Sequence, residues 1–307
     1  MSLQYNILWL DDRIEEYQTL EIDTELKEYV ESLFFEPHIY LYESVDDAIQ
    51  NSIKRKYDVI FSDYNINENK TGKDFIVDIR NRNINAEVLF YSAQQTPPET
   101  GLDRISFLKL HSDNSYEDLK NKMKLVINLT VEKLKDLTNL RGLVMSEVSE
   151  LDVLMKDIVA EYCKKSEKDE KELRKYIIGK IEERVKKSLD VSQSNCDKKC
   201  FHEWKNKAIQ EVVFEQSFDS YTTARVINHI IDKKKLDIEK FLSNYNLEII
   251  QNRNELAHCK AVLQENGNEI LSTKNGEKEF TTETINEIRK NIIKYHRMFE
   301  ALSKKIF

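Results

Sequence analysis

Residues 5–12 read YNILWLDD, an uncharged apolar run that stops on two aspartates. Residues 58–63, DVIFSD, repeat the arrangement with one aspartate at the end. A short apolar run of this kind reads as a strand buried on both faces, as the strands of parallel sheets are. The segments around it alternate accordingly. Tyr5–Leu10 is the first strand, and a helical stretch runs from Ile14 to about Phe34. His38–Tyr42 is a second strand and Val45–Lys54 a helix. Asp58–Ser62 is a third strand ending at Asp63, followed by a helix over Lys73–Asn81. Glu87–Tyr91 is a fourth strand ending at Ser92, and Ile105–Leu108 a fifth ending at Lys109. Strand and helix in turn predict an α/β domain built on a doubly wound, parallel, five-stranded sheet.

In such sheets ligands sit at the carboxyl ends of the strands. Asp11, Asp12, Asp63, Ser92 and Lys109 all fall there. Three carboxylates brought together repel one another and call for a hard divalent cation, Mg²⁺ before others. A hydroxyl and an ammonium beside them suit the oxygens of a transferred phosphoryl group. Any one of these residues alone is an ordinary loop start; the five in this order are not.

The chain of 307 residues is long enough for two domains, and its six glycines and three prolines leave little room for long irregular tracts. A net charge of -8 argues against a generally basic nucleic-acid binder while permitting a local basic patch. No apolar run approaches a membrane span, and MSLQYNILWLDDR lacks the pattern of a signal peptide, so a cytoplasmic protein is expected. The four cysteines, Cys163, Cys196, Cys200 and Cys259, fit a reducing compartment. Cys196, Cys200 and His202 make only a weak zinc pattern, without a clear fourth ligand.

Over about residues 4–135 the sequence resembles the receiver domain of two-component response regulators. TGKDFIVDIR, residues 71–80, is similar to that family's glycine-opened third helix. The resemblance implies that Asp63 is the phosphoacceptor, that Asp11 and Asp12 with Asp63 bind Mg²⁺, and that Ser92 and Lys109 contact the phosphoryl group. It implies a histidine kinase or phosphotransfer protein as partner. The chain departs from the family at Asn67 and Leu110, where proline is usual, and at Ser106, where an aromatic residue is often kept, with Phe107 one place off. Pro97-Pro98 and a glycine shorten the segment between Ser92 and Lys109, so a full fourth helix is not expected and the output face is remodelled.

From Tyr116 to about Lys165 there is no proline, and apolar residues recur at threes and fours from Leu119 to Ile158. This predicts one long helix over about 116–164, or two abutting ones. Gly142, costing about 1 kcal/mol in a helix interior, is the expected break. The stripe either packs each half on its own domain or carries a dimer seam. The domain boundary falls near 136–142, giving domains 1–135 and 136–307. The second reads as an α-helical bundle, with helices over Arg141–Lys164, Glu170–Leu189, Glu203–Phe214, Thr222–Lys234 and Ile238–Cys259. Two turn signals suggest a small β-hairpin or meander between Ala261 and Phe280, and Thr281 or Thr282 caps a last helix reaching Lys305. The lysine-rich run around Lys233–Lys235 reads as a solvated helix face, with contact to an RNA backbone as the other reading.

RNELAH, residues 253–258, ends one of these helices. Arg253 and His258 lie about 500° apart around an α-helix, a little over a third of a turn after whole turns are removed. At a helix end, long side chains still converge on one ligand. Arginine supplies a fork for phosphate, histidine titrates near neutrality, and Asn254 sits where it positions either. These groups suffice for metal-free RNA cleavage by attack of a 2′-hydroxyl on its neighbouring phosphate.

R-N-x-x-A-H is similar to the motif of the HEPN superfamily, and LRGLVMSEVSEL, residues 140–151, resembles a first HEPN helix. That resemblance covers about residues 140–307. It implies a homodimer with both motifs facing one cleft, and an endoribonuclease of the kind found in stress and antiviral defence, leaving 2′,3′-cyclic phosphate and 5′-hydroxyl ends with no cofactor for cleavage. The alternative is a non-catalytic signalling adaptor whose helical half only dimerises or binds a partner.

Overall fold

The computed structural model describes residues 3–66, 71–93, 103–111, 115–133, 137–188, 209–214, 218–264, 269–273, 276–279 and 281–306. The chain forms two compact units, Met1–Leu140 and Arg141–Phe307. Among the described residues no helix is long and apolar enough to cross a membrane.

The first unit carries a parallel sheet of β1 (Gln4–Leu10), β2 (Glu36–Tyr42), β3 (Val59–Asp63), β4 (Glu87–Ser92) and β5 (Ile105–Lys109). Its order is β2-β1-β3-β4-β5, the doubly wound, flavodoxin-like arrangement. The helices are α1 (Ile14–Thr19), α2 (Ile22–Ser32), α3 (Val45–Ser52), α4 (Gly72–Asn81) and α5 (Ser115–Glu132). Every residue of β3 is buried, which is why its sequence is an unbroken apolar run rather than an alternating one. One face of the sheet packs Leu8, Leu10, Ile60, Val88 and Phe90 against Val45 of α3 and Phe75, Ile76 and Ile79 of α4. Burying each of these large side chains stabilises the unit by about 1.5–3 kcal/mol.

Local chemistry sets the helix starts. Ser44 caps α3 by accepting from the Asp47 amide, and Thr71 and Asp74 form a reciprocal capping box at α4. The single helix expected over 14–34 is two, because Glu21 takes a left-handed conformation with φ 57° that no α-helix accommodates. The segment expected to lack a full fourth helix, and Asn67, lie outside the described residues.

The 116–164 stretch holds two helices, α5 and α6 (Leu137–Lys164). Gly142, the expected break, instead lies inside α6. Leu119, Met123 and Val126 are buried on α5; Leu140, Val144, Val148, Leu151, Met155 and Ile158 are buried on α6. The remaining elements are α7 (Glu167–Ser188), α8 (Ile209–Phe214), α9 (Ser220–Lys234), α10 (Phe241–Tyr245), a π-helical turn over Asn246–Gln251, α11 (Asn252–His258), β6 (Lys260–Leu263), β7 (Glu269–Thr273), β8 (Gly276–Glu279) and α12 (Thr282–Ile306). The three strands form an antiparallel sheet in the order β6-β7-β8. Thr281 caps α12 through the Thr284 amide. Phe241 and Tyr245 pack with Tyr295 and Phe299 of α12; the Tyr245 and Tyr295 rings meet edge to face at 4.9 Å.

Candidate functional sites

Strand register builds the first site. Leu10 pairs with Ser62, Asp63 with Tyr91, and Ser92 with Lys109, so residues just past the ends of β1, β3, β4 and β5 share one edge of the sheet. Asp11, Asp12 and Asp63 each offer a carboxylate oxygen within 4.8 Å of the others. Asp11 is fully buried and Asp63 is 8% exposed, whereas Asp12 is exposed. Burial is the main cause that raises Asp63 to a pKa of about 6; the charges of Asp11 and Asp12 add to it, while the Asn65 amide and Arg13 oppose it. An all-oxygen donor set, two of whose three carboxylates are buried, fits a hard divalent cation.

Asp63 and Asp11 are held by named donors. The Asn65 amide donates to Asp63 Oδ1 at 3.1 Å, and Asn65 Nδ2 donates to Ser92 Oγ at 3.0 Å. The Arg13 amide donates to Asp11 Oδ1 at 2.8 Å, and the Arg13 Nε lies 4.0 Å from the same oxygen. Trp9 Nε1 donates to Tyr91 Oη at 2.7 Å, and Tyr91 Oη donates to Asp11 Oδ2 at 2.5 Å. Burial raises the Asp11 pKa, and the Tyr91 hydrogen bond opposes that rise. Tyr91 was not singled out in the sequence, where it reads as one more apolar strand residue; its hydroxyl is the orienting group for Asp11. Ser92 is buried and Lys109 exposed.

The second site lies at the end of α11, which continues the π-helical turn. Arg253 is half-buried, and its Nη2 donates to Ser220 Oγ at 3.0 Å. Ser220 in turn donates to Asp152 Oδ2. Ser220 opens α9 behind the N-cap Asp219, which accepts from the Thr222 amide at 2.9 Å. Burial raises the Asp152 pKa, with the Ser220 hydrogen bond and the Arg253 charge opposing. His258 and Asn254 are exposed. Arg253 is thus turned inward onto a Ser220–Asp152 relay, while Asn254 and His258 present their side chains to solvent. The spacing of Arg253 and His258 could not reveal Ser220 or Asp152, which are distant in sequence.

The Lys233 ammonium is engaged by Asp169 at 2.9 Å and Glu172 at 2.8 Å, while Lys234 and Lys235 are exposed. Cys196, Cys200 and His202 lie outside the described residues. A third cluster, Glu147, Glu150 and His296, was not anticipated: its ligand atoms also lie within 4.8 Å of one another.

No protein-family model matches the chain, and no curated protein matches it. Solved structures do. The N-terminal domain of a response regulator/sensory box/GGDEF three-domain protein from Carboxydothermus hydrogenoformans is 16% identical over 42% of this chain and 98% of that one, with a TM-score of 0.34. TrrA from Thermotoga maritima, solved in complex with Mg²⁺ and BeF, is 19% identical over 40% of this chain and 98% of its own, with a TM-score of 0.31. A two-component response regulator from Clostridium difficile is 22% identical over 41% of this chain and 97% of its own, again with a TM-score of 0.31. The flavodoxin-like fold of the first unit follows from its own strand order and register, and these neighbours add no chemistry to it.

Proposed function

We propose that the protein is a cytoplasmic response regulator whose receiver unit accepts a phosphoryl group at Asp63 from a histidine kinase or phosphotransfer protein. The observation that carries this reading is the juxtaposition of Asp11, Asp12 and Asp63 at the carboxyl edge of the sheet. An Asp63 carboxylate oxygen attacks the phosphorus, the bond from phosphorus to the donor breaks, and an acyl phosphate forms. Asp11, Asp12 and Asp63 would hold Mg²⁺, which supplies positive charge to the phosphoryl oxygens. Tyr91 and the Arg13 amide keep the Asp11 carboxylate in place. Ser92 and Lys109 take the remaining phosphoryl oxygens.

The second unit, in this proposal, is a HEPN-type endoribonuclease acting as a homodimer on RNA. Arg253 binds the scissile phosphate, Asn254 positions it, and His258 transfers a proton. The RNA 2′-hydroxyl attacks its own phosphate and the bond to the 5′-oxygen breaks, leaving a 2′,3′-cyclic phosphate and a 5′-hydroxyl. No metal enters that step. Support comes from the R-N-x-x-A-H sequence at a helix end and from the relay that braces Arg253. Exposed Val153, next to Asp152, and exposed Tyr221, next to Ser220, supply apolar surface for a second copy beside that relay. Phosphorylation at Asp63 regulates the nuclease.

A second reading, a non-catalytic adaptor, is favoured by one feature: the Arg253 fork already has a partner in Ser220. Incubation with total RNA separates the two. The nuclease reading expects cleavage that His258→Ala abolishes; RNA left intact by the wild-type protein in both phosphorylation states selects the adaptor.

A further inference from the structure

We propose that Glu147, Glu150 and His296 form a site for a first-row divalent transition metal, Zn²⁺ in the first instance, in the interior of the helical unit. Glu147 and Glu150 lie three apart on α6 and so share a face of that helix. His296 comes from α12. The site's neighbours along the two helices include buried apolar residues, Val144, Val148 and Leu151 on α6 and Ile292 and Phe299 on α12, and the buried polar Arg289 and Asn291 on α12. Glu147 is fully buried and His296 is 7% exposed. Charged groups in such a place require a specific partner.

The distances decide which partner. His296 Nε2 lies 3.5 Å from Glu147 Oε2. A hydrogen bond between them would be about 2.7–3.2 Å long. His296 Nε2 is buried and makes no hydrogen bond, yet it points into the carboxylate cluster. Two atoms bound to one Zn²⁺ at about 2.1 Å in a tetrahedron sit roughly 3.4 Å apart. The separation is thus too long for direct bonding and right for two ligands of a common ion.

The donor types select the metal. One imidazole with two carboxylates suits Zn²⁺, Mn²⁺ or Fe²⁺ rather than Mg²⁺ or Ca²⁺, which want oxygen alone. The site therefore differs in kind from the aspartates of the first unit. Three protein ligands leave a fourth position open, and Glu150, the half-buried member, marks the side open to solvent. Sites of this kind in helical bundles are assembled from carboxylates and histidines on facing helices.

The test uses the full chain, stripped with a chelator and dialysed against Zn²⁺ or Co²⁺. Metal analysis should find a Zn²⁺ bound by the wild type that His296→Gln and Glu150→Gln each bind at least about tenfold more weakly. Asp63→Asn and the Cys196→Ser/Cys200→Ser double variant should retain it. The Co²⁺ form should show visible ligand-field bands without a thiolate charge-transfer band, and Zn²⁺ should raise the melting temperature of the wild type but not of Glu150→Gln. Glu150 is half-buried, so its variant should fold even if His296→Gln does not, which circular dichroism checks. The proposal is overturned if the wild type binds no Zn²⁺, if Glu150→Gln binds it undiminished, or if binding disappears in the cysteine variant instead.

Discussion

A β-carbon placed on residue 72 would fall 2.2 Å from the backbone carbonyl oxygen of Asp63 and 2.5 Å from Ser62 Oγ. Only glycine lets α4 start directly behind β3, and the Gly72 amide donates to the Tyr64 carbonyl at 3.0 Å. Gly72→Ala must push β3 and α4 apart. It should cost about 1–3 kcal/mol, the usual range for overpacking, and lower the urea midpoint. An unchanged midpoint would mean that α4 moves freely relative to Asp63.

Incubation with a small phosphodonor and Mg²⁺ should modify Asp63, as a retarded band in phosphate-affinity electrophoresis and as a mass shift. Asp63→Asn should abolish it. Because the nucleophile is the carboxylate, the rate with a donor that does not itself titrate should fall as the pH drops through about 6. Modification of Asp63→Asn at the wild-type rate would place the acceptor elsewhere.

The raised pKa of Asp63 has a stability consequence with a definite sign. Folding favours the protonated acid, so this contribution is fully present below the unfolded pKa near 3.8 and is lost as the pH rises through about 6. At pH 7.5 the ionised, buried carboxylate costs roughly 3 kcal/mol. Asp63→Asn should therefore melt higher than the wild type at pH 7.5 without metal, and the gap should close near pH 4. A gap that is constant with pH would show that charge is not its origin.

Arg253→Ala and His258→Ala should each slow RNA cleavage by about 10²–10⁴-fold, the scale of a lost proton-transfer or charge-stabilising group. Arg253→Lys should restore little, because an ammonium lacks the planar fork. Cleavage at low temperature should persist in EDTA with 5′-hydroxyl ends, even though removal of a metal at Glu147 lowers the melting temperature. Products with 5′-phosphate ends would rule out attack by the 2′-hydroxyl.

Val153→Glu with Tyr221→Glu should convert a dimer into monomers by sedimentation and reduce cleavage, since both residues are exposed and adjoin Asp152 and Ser220 in sequence. Val144→Glu is a poor probe, since Val144 is buried and a charge there destabilises the fold itself. Full activity in a monomeric protein would remove the shared cleft from the mechanism.

The first site was legible because buried parallel strands spell themselves as apolar runs, and their carboxyl ends are where ligands collect. Asp11, Asp12 and Asp63 follow from that without knowledge of any side-chain contact. Tyr91 did not, because an apolar strand tolerates tyrosine and only the register shows its hydroxyl reaching Asp11. The π-helical turn before RNELAH carries no spacing signal, and the left-handed Glu21 sits in a stretch with good helical pattern. The α6 stripe is legible in its spacing, and Leu140, Val144, Val148, Leu151, Met155 and Ile158 are buried, but spacing alone leaves open what covers such a stripe. Glu147, Glu150 and His296 show the deeper limit: two surface-like glutamates and a lone histidine about 150 residues apart mean nothing until two helices pack.

The six residues of the π-helical turn, Asn246–Gln251, hold one more residue per hydrogen-bonded turn than an α-helix would. Upstream of it Phe241 and Tyr245 are anchored among aromatic rings; downstream Arg253 meets Ser220. The bearing of RNELAH relative to that anchor is therefore set by how those six residues are wound. Rewinding all six as ordinary α-helix would swing the motif about 100° around the helix axis, taking Arg253 off Ser220 while leaving every letter of RNELAH in place. Two chains can carry the same six letters and aim them at different neighbours, so the winding of the segment before the motif specifies its surroundings as much as the motif itself.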